Sequence, residues 1–585
     1  MRTIFGIDAV KLTDKDGSPS GRKEFLCWNT PFKDPTDPSS GRGDSILEAA
    51  KLFAQLILRG ARTMAFCRVR NVCELVLQAI RAELQRLERG DVVGRVMGYR
   101  GGYTPQDRRR IEKEMFEGRL LGIVATNALE LGVDIGSLDA VLMVNFPYSI
   151  SNLRQQSGRA GRRNKDSLSV LVGGPFPIDQ HYMAHPAELF TRPNLSLALD
   201  LENPGILEGH VQCAAHELPV CPSRDRLYFG PALASIVPVL AQEGPFFNPS
   251  PSYLPFPARL VPIRDTEEPG YAVVDTTNSR NIVLEELEPS RVPFTLYEGG
   301  IFLHQGRTYL VRHVDHVSKV AQLEAVNVAY TTSPRDFTDI DPTHTRLCSP
   351  LPAPSTAAVA YGTIAVSTVV FGFFKKDKRN RILDAVETDS PPITRTTSGL
   401  WVDVPPQILG LLKRHRMNAA AAIHAASHAV LNLLPPTEGL RTECKAAEKE
   451  YAAHQTRRKR PARLVFYEPR GSGGSDGSSR IAWAAMGEVL QHARGRVEAC
   501  ACAEGCVECI LGNCKEGNLV VSKRGAAVVL RGVLGMDIDG EALEDKGGPQ
   551  KEEKGWDNGT VVPAGFGRGR VAVVDAESTV RCIDV

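Results

Sequence analysis

Between Ser45 and Asn145, amphipathic helices alternate with short, wholly apolar strands, and this alternation restricts the fold more than any other feature of the chain. Apolar residues recur at intervals of three and four along 45–59, the spacing of a single helical face. Residues 62–67 then read as a buried strand, 73–87 as a helix and 92–97 as a strand. A helix over 107–118 and strands at 121–125 and 140–145 complete the series. Strands with no polar alternation must be covered on both sides, so the pattern predicts an α/β domain built on a parallel sheet. This domain is expected over 45–190. Residues 1–44, rich in Gly, Pro, Asp and Lys, read as an extended lead-in.

A chain of 585 residues is too long for one hydrophobic core, and the pattern changes after the first domain. Brief strands separated by Gly, Asp, Asn and Ser turns fill much of 250–375, so 191–400 reads as a partly β-rich connector with room for a winged-helix-like element. A helix is expected over 405–434, a strand at 463–467 and a helix over 481–493, making 401–535 a small α/β domain. Residues 536–585 turn to Gly, Glu, Lys and Asp and are expected to be disordered.

Charge and hydropathy exclude some functions. Lys and Arg number 70 against 68 Asp and Glu, which rules out a wholly basic binder but not local patches. Three such patches stand out: Lys375 to Arg381, Lys413 to Arg416, and Arg457 to Arg460. Each alone suits a solvated face, whereas together they could line a phosphate-backbone track. Phe373 and Phe374, beside the first patch, read as core strand residues before base-stacking ones. The longest apolar stretch, Tyr361 to Phe374, is too short to cross a bilayer, so no membrane partner is expected. The N-terminus lacks a signal-peptide core, and most of the thirteen cysteines are scattered, which points to an intracellular protein.

Two segments carry the densest chemistry. Residues 125–135 are followed, after twenty residues, by 155–163, and each lies where a strand of the α/β domain should end. Ligands gather at that edge of a parallel sheet. Arg159 and Arg162 lie three apart on an expected helix start, so both guanidinium groups can point the same way. Gly158 and Gly161 remove side chains that would block close approach. Two aligned guanidinium forks suit the charge that develops on a transferring γ-phosphoryl group. Asp134, close after Gly132, could accept a ribose hydroxyl. A lone Gly-Arg-x-x-Arg would suit a surface ion-pair cluster better, but the first segment at this spacing argues against that.

These two segments resemble motifs V and VI of the superfamily-two helicases, and residues 45–175 resemble their second RecA-like domain. Residues 62–70 resemble motif IV, and 98–110 resemble the following segment, which touches the nucleic-acid backbone. Further on, residues 201–218, 296–306 and the terminal cysteines resemble the Hrq-type, RecQ-four-like helicases of fungi and their bacterial relative MrfA. The likeness extends from residue 1 to about 535. It implies an ATP-dependent three-prime-to-five-prime DNA helicase of the nucleus, acting in DNA repair on single-stranded or forked DNA beside other DNA-repair proteins. It further implies that Arg159 and Arg162 are arginine fingers and that Gly132, Asp134, Gln155 and Gly158 line the cleft for ATP and magnesium. Arg68, Arg100, Gly101, Thr126 and Asn127 would face the DNA backbone.

The sequence departs from the family in one respect. No Gly-x4-Gly-Lys-[Ser/Thr] loop and no Asp-Glu-x-His occurs in these 585 residues. The chain therefore reads as a C-terminal portion without the first RecA-like domain, and negligible ATP hydrolysis is expected of it alone. A competing class is a non-catalytic, zinc-containing DNA-binding protein, or the partner of a separate ATP-binding half.

Cys500, Cys502, Cys506 and Cys509 form C-x-C-x3-C-x2-C, with Gly505 easing the turn. Four soft thiolates so close together can close a tetrahedral zinc shell, and an iron–sulfur cluster also takes four. Cys514 is a fifth candidate; the resemblance to MrfA favours the first four. His424 and His428 are spaced i, i+4 without the Glu of a His-Glu-x-x-His site, so they are expected to be core or hydrogen-bonding histidines.

Overall fold

The apolar strands assemble as their alternation with helices requires. Strands β1 (Lys23–Asn29), β2 (Thr63–Cys67), β3 (Val96–Tyr99), β4 (Gly122–Ala125), β5 (Ala140–Val144) and β6 (Ser167–Gly173) form a parallel sheet ordered β1-β6-β5-β2-β4-β3. On one face Ala65, Val124 and Leu142 pack against Phe53 of α1 (Ser45–Leu58) and Leu77 of α2 (Arg70–Arg86). On the other, Met64, Ile123 and Met143 pack against Ile111 of α3 (Pro105–Phe116) and Leu153 of α4 (Ile150–Ser157). Burial on both faces explains why β2, β4 and β5 carry no polar alternation. Two short helices, α5 (Pro177–Ala184) and α6 (Glu188–Thr191), close the domain.

This computed structural model describes residues 21–584 apart from 132–137, 162–164, 195–203, 241–245, 262–269, 378–380, 389–390, 435–439, 443–460, 470–476, 512–520, 539–569 and 575–579. It corrects three expected boundaries. The sheet begins inside the 1–44 lead-in, because β1 pairs with β6 from Lys23 to Asn29 and buries Phe25 and Cys27. Its flanking Pro and Gly residues hid that strand. Within the 536–585 tail, residues 570–574 and 580–584 are strands that extend the β1 edge in antiparallel fashion. The division at 400/401 cuts a continuous strand, described next.

The connector opens with helices α7 (Pro204–Glu217) and α8 (Leu233–Leu240), which share a small core of Val211, Ala215, Val237 and Phe247. Strands β7 (Tyr271–Asp275), β8 (Ile282–Leu287), β9 (Ile301–His304), β10 (Arg307–Asp315) and β11 (Val320–Ala325) then form a sheet ordered β8-β7-β11-β10-β9. Beyond it β12 (Thr331–Pro350) and β13 (Ala358–Lys376) pair over their whole length as a long hairpin, with β14 (Ile382–Glu387) beside its outer end. Strand β15 (Ile393–Asp403) carries this sheet across residue 400 to β16 (Arg463–Tyr467).

Helices α9 (Pro406–Arg414), α10 (Ala419–Leu431), α11 (Ser478–Ala499) and α12 (Lys523–Val533) cover the end of that sheet. Leu400, Phe466, Ala426, Leu490 and Val529 meet in one core. One helix was expected over 405–434 and two are found. Arg416 takes a positive φ of 51°, and the Asn418 side chain accepts a hydrogen bond from the Ala421 amide at 3.0 Å, starting the second helix afresh.

Candidate functional site

The carboxyl ends of β2, β3 and β4 bring Arg68, Arg100, Gly101, Thr126 and Asn127 to one edge of the parallel sheet. Asn127 is exposed there, and Thr126 is buried beneath it with its amide on the Tyr99 carbonyl at 3.3 Å. Arg68 is half-buried: it donates to the Phe146 carbonyl and stands 3.6 Å from Asp179. Asp179 is wholly buried and accepts from Asn145 Nδ2 at 2.6 Å and from the Phe146 and Gly174 amides. Burial raises its pKa against the pull of Arg68 and these donors.

Arg100 does not face a DNA backbone. It is 2% exposed and donates to Glu74 at 2.8 Å and to the Leu303 carbonyl at 3.2 Å, while its Nη1 lies 2.6 Å from Glu285 of β8. Burial alone would lower its pKa, but Glu285 and Glu74 outweigh that and hold the guanidinium charged. Glu74 also accepts from Tyr103 and from the Gly306 amide. The Gly306 amide on Glu74, with Glu285 and the Leu303 carbonyl on Arg100, joins the α/β domain to the connector sheet. A guanidinium buried between two carboxylates in the seam is committed to joining the domains, which departs from the backbone-facing role expected of Arg100.

The two segments singled out in the sequence converge on Glu130. Its buried carboxylate accepts from Asn152 Nδ2 at 3.0 Å and from Gln156 Nε2, and its carbonyl accepts from Arg159. Arg159 is itself buried, at 6% exposure. Gln155, expected in the nucleotide cleft, is exposed, and its neighbour Gln156 points inward in phase with Leu153. Gly158 is the exposed C-cap of α4. Gly161 has a φ of +81°, and a Cβ there would stand 2.3 Å from Ser167 Oγ. Gly132, Asp134 and Arg162 lie outside the described residues, as do Cys514 and Arg457 to Arg460.

At the other end of the chain the sulfurs of Cys500, Cys502, Cys506 and Cys509 all lie within 4.8 Å of one another. The neighbouring pairs stand 3.5 Å apart, and Cys506 and Cys509 are 3.8 Å apart. Bonds of about 2.3 Å to a tetrahedral zinc require sulfurs about 3.8 Å apart, so the residues fit that ion. They stand too close together to surround the several irons of a cluster. Lys523 Nζ donates to the carbonyls of Cys500 and Cys502, and Cys509 is buried in the core of the C-terminal domain.

Three family descriptions match the chain: the helicase conserved C-terminal domain over residues 48–164, the winged helix domain of the ATP-dependent helicase HRQ1 over 199–266, and the MrfA Zn-binding domain over 421–510. The ATP-dependent helicase HRQ1 of Saccharomyces cerevisiae is 45% identical over 96% of this chain and 53% of its own length. Its counterpart in Schizosaccharomyces pombe is 42% identical over 94% and 52%. A crystal structure of the DUF1998 helicase MrfA bound to DNA superposes with a TM-score of 0.68 at 27% identity, covering 89% of this chain and 68% of that one. The chain belongs to the Hrq1/MrfA family.

This chain spans about half the length of the curated Hrq1 relatives it matches. In Hrq1/MrfA terms, 48–164 is the RecA-like helicase C-terminal domain, α7 and α8 fall within the winged helix, and the four cysteines close the zinc-binding domain. Sequence reasoning missed Glu130, Gln156, Glu74 and Glu285. The first two could have been found from helical phase, since a glutamine in register with Leu153 must find a buried partner. Glu74 and Glu285 carry no local signal, because the arginine they share lies 26 residues from the first and in a different domain from the second.

Proposed function

We propose that this chain works as the second half of an ATP-dependent three-prime-to-five-prime DNA helicase, acting in the nucleus in DNA repair. The observation that carries this reading is the convergence of both motif segments on Glu130, at the carboxyl edge of the sheet, in a chain of the Hrq1/MrfA family. ATP with magnesium would lie between this domain and a first RecA-like domain, lined here by Gly132, Asp134, Gln155 and Gly158. Arg159 would exchange the Glu130 carbonyl for the γ-phosphate, with Arg162 beside it. Arg68, Gly101, Thr126 and Asn127 would follow the backbone of single-stranded or forked DNA. Cys500, Cys502, Cys506 and Cys509 would hold zinc as a structural cross-link away from the nucleotide.

The 585 residues contain no phosphate-binding loop motif, so by itself the chain would hydrolyse ATP negligibly. The same observation favours a second reading, a non-catalytic zinc-containing DNA-binding protein. Joining the chain to a first RecA-like domain that carries the loop separates the two. DNA-stimulated hydrolysis that is lost on Arg159→Ala or Arg162→Ala, with DNA binding kept, supports the motor. No hydrolysis in the joined protein, or hydrolysis indifferent to both substitutions, overturns it.

A further inference from the structure

The seam between the α/β domain and the connector sheet contains a cleft of about 410 Å³ that the roles above leave unused. Arg81, Met97 and Arg110 line it from one side, and Leu284, Arg307 and Tyr309 from the other. Among the described residues, two of its arginines form no ion pair. Arg307 is exposed and no carboxylate among the described residues pairs with it. Arg81 donates to the Gln305 carbonyl at 2.6 Å and to the Val96 carbonyl at 3.3 Å, and its buried Nε has no hydrogen-bond partner. Arg110 leans on Asp107 and Glu114 only at 3.4 and 3.5 Å.

One carboxylate, Asp275, also lines the cleft and offsets one of its three arginine charges. Asp275 accepts from the Thr277 amide and hydroxyl, and His304 faces Glu285. Glu74, whose charge also reaches Arg81, is held by Arg100, Tyr103 and the Gly306 amide. Gln305 exchanges hydrogen bonds with both backbone groups of Gly98. The approach of Arg81 depends on the turn residue Gly306, at φ +70°, where a Cβ would stand 2.6 Å from its guanidinium. Like charges gathered on a partly desolvated cleft raise its potential until an anion enters. Guanidinium forks match phosphate oxygens in particular. Met97, Leu284 and the partly exposed Ile282 add an apolar wall beside them.

We propose that this cleft binds one phosphate-bearing nucleotide unit, with Arg307 and Arg110 on the phosphate at its mouth and Arg81 supplying charge at its floor. The unit comes from a nucleic-acid strand or is a free nucleotide; the strand source rests on the DNA-binding reading above. The volume falls within the range of about 300–1,000 Å³ usual for small-ligand sites.

The test titrates a labelled single-stranded thymidine oligonucleotide, and separately a fluorescent ATP analogue, against the full chain, Arg307→Glu and Arg110→Glu over a range of salt. Both substituted residues are exposed, and circular dichroism would check the fold of each variant. Arg312→Glu, which removes an exposed pair with Glu324 outside the cleft, is the control. A strand in the cleft predicts about a tenfold loss of oligonucleotide affinity in Arg307→Glu and a salt slope lower by about one. A similar loss confined to the ATP analogue assigns the cleft to a free nucleotide. If the wild-type chain binds the oligonucleotide and both cleft variants match it for both ligands, the cleft proposal fails and the DNA-binding reading stands. If the wild-type chain binds neither ligand, both fail.

Discussion

Arg100 Nη1 stands 2.6 Å from Glu285 Oε2, and both side chains are withdrawn from solvent although one follows β3 of the parallel sheet and the other lies in β8 of a separate one. The pair is therefore a joint between domains. Losing Glu285 leaves Arg100 paired with Glu74, so the cost is that of one buried charged hydrogen bond, about 1.5–3 kcal/mol. Glu285→Ala should lower the urea midpoint of this pair of domains accordingly and speed amide exchange at 98–103. Arg312→Ala, which breaks an exposed pair with Glu324, should shift the midpoint by at most about 1 kcal/mol. Equal effects from the two variants would show that the joint is not what holds the seam.

Zinc at the four cysteines would tie the end of α11 to the start of α12, because Cys500 ends the first and Lys523 of the second reaches the knuckle's carbonyls. Without the ion, burial pushes the Cys506 and Cys509 thiols up, which disfavours the thiolates that ligation requires. Natively purified protein should contain about one zinc per chain, and Cys509→Ser or chelation should melt the C-terminal domain at a lower temperature than the α/β domain. Metal-free protein with an unchanged melting profile would remove the zinc from this account.

The α/β domain was legible because its strands are buried on both faces and its helices on one, so periodicity alone separates them. The four-cysteine knuckle was legible because all its ligands are local. Strand β12 was not: Pro334, Pro342 and three aspartates interrupt it, and only full-length pairing with β13 makes it a strand. Arg100 was misread for a related reason. A sequence shows that an arginine follows a strand, but not that Glu285, far along the chain, will enclose it. The acceptor of Arg159, the Glu130 carbonyl, belongs to the other motif segment, a pairing that spacing alone does not reveal.

Glu508, between Cys506 and Cys509, touches the α/β domain. Its carboxylate lies 2.6 Å from Arg192, which is equally close to Glu188, and 3.3 Å from Arg496. These side chains are partly exposed, so each pair is worth less than about 1 kcal/mol, and the effect should appear as loosened docking without unfolding. Arg192→Glu should speed amide exchange over 177–191, and adding Glu508→Arg should restore protection by re-forming the pair in reverse. Exchange that is unchanged by Arg192→Glu, or not rescued by the double change, would show that the knuckle does not dock through this contact.

His428 gives the C-terminal domain an acid limit. It lies buried in α10, its ring 4.4 Å from that of His424, and burial followed by the His424 charge holds its pKa down to about 3, against 6.5 for a free histidine. Between those values the unfolded chain binds a proton that the folded chain refuses, so stability rises with pH across this window and falls as the pH drops from about 6.5 towards 3. The slope for one such group is at most about 1.4 kcal/mol per pH unit. His428→Leu, close in volume to the ring it replaces, should flatten that slope between pH 6 and pH 4 as followed by urea midpoints of the C-terminal domain. A slope unchanged by the substitution would place the acid sensitivity in other groups.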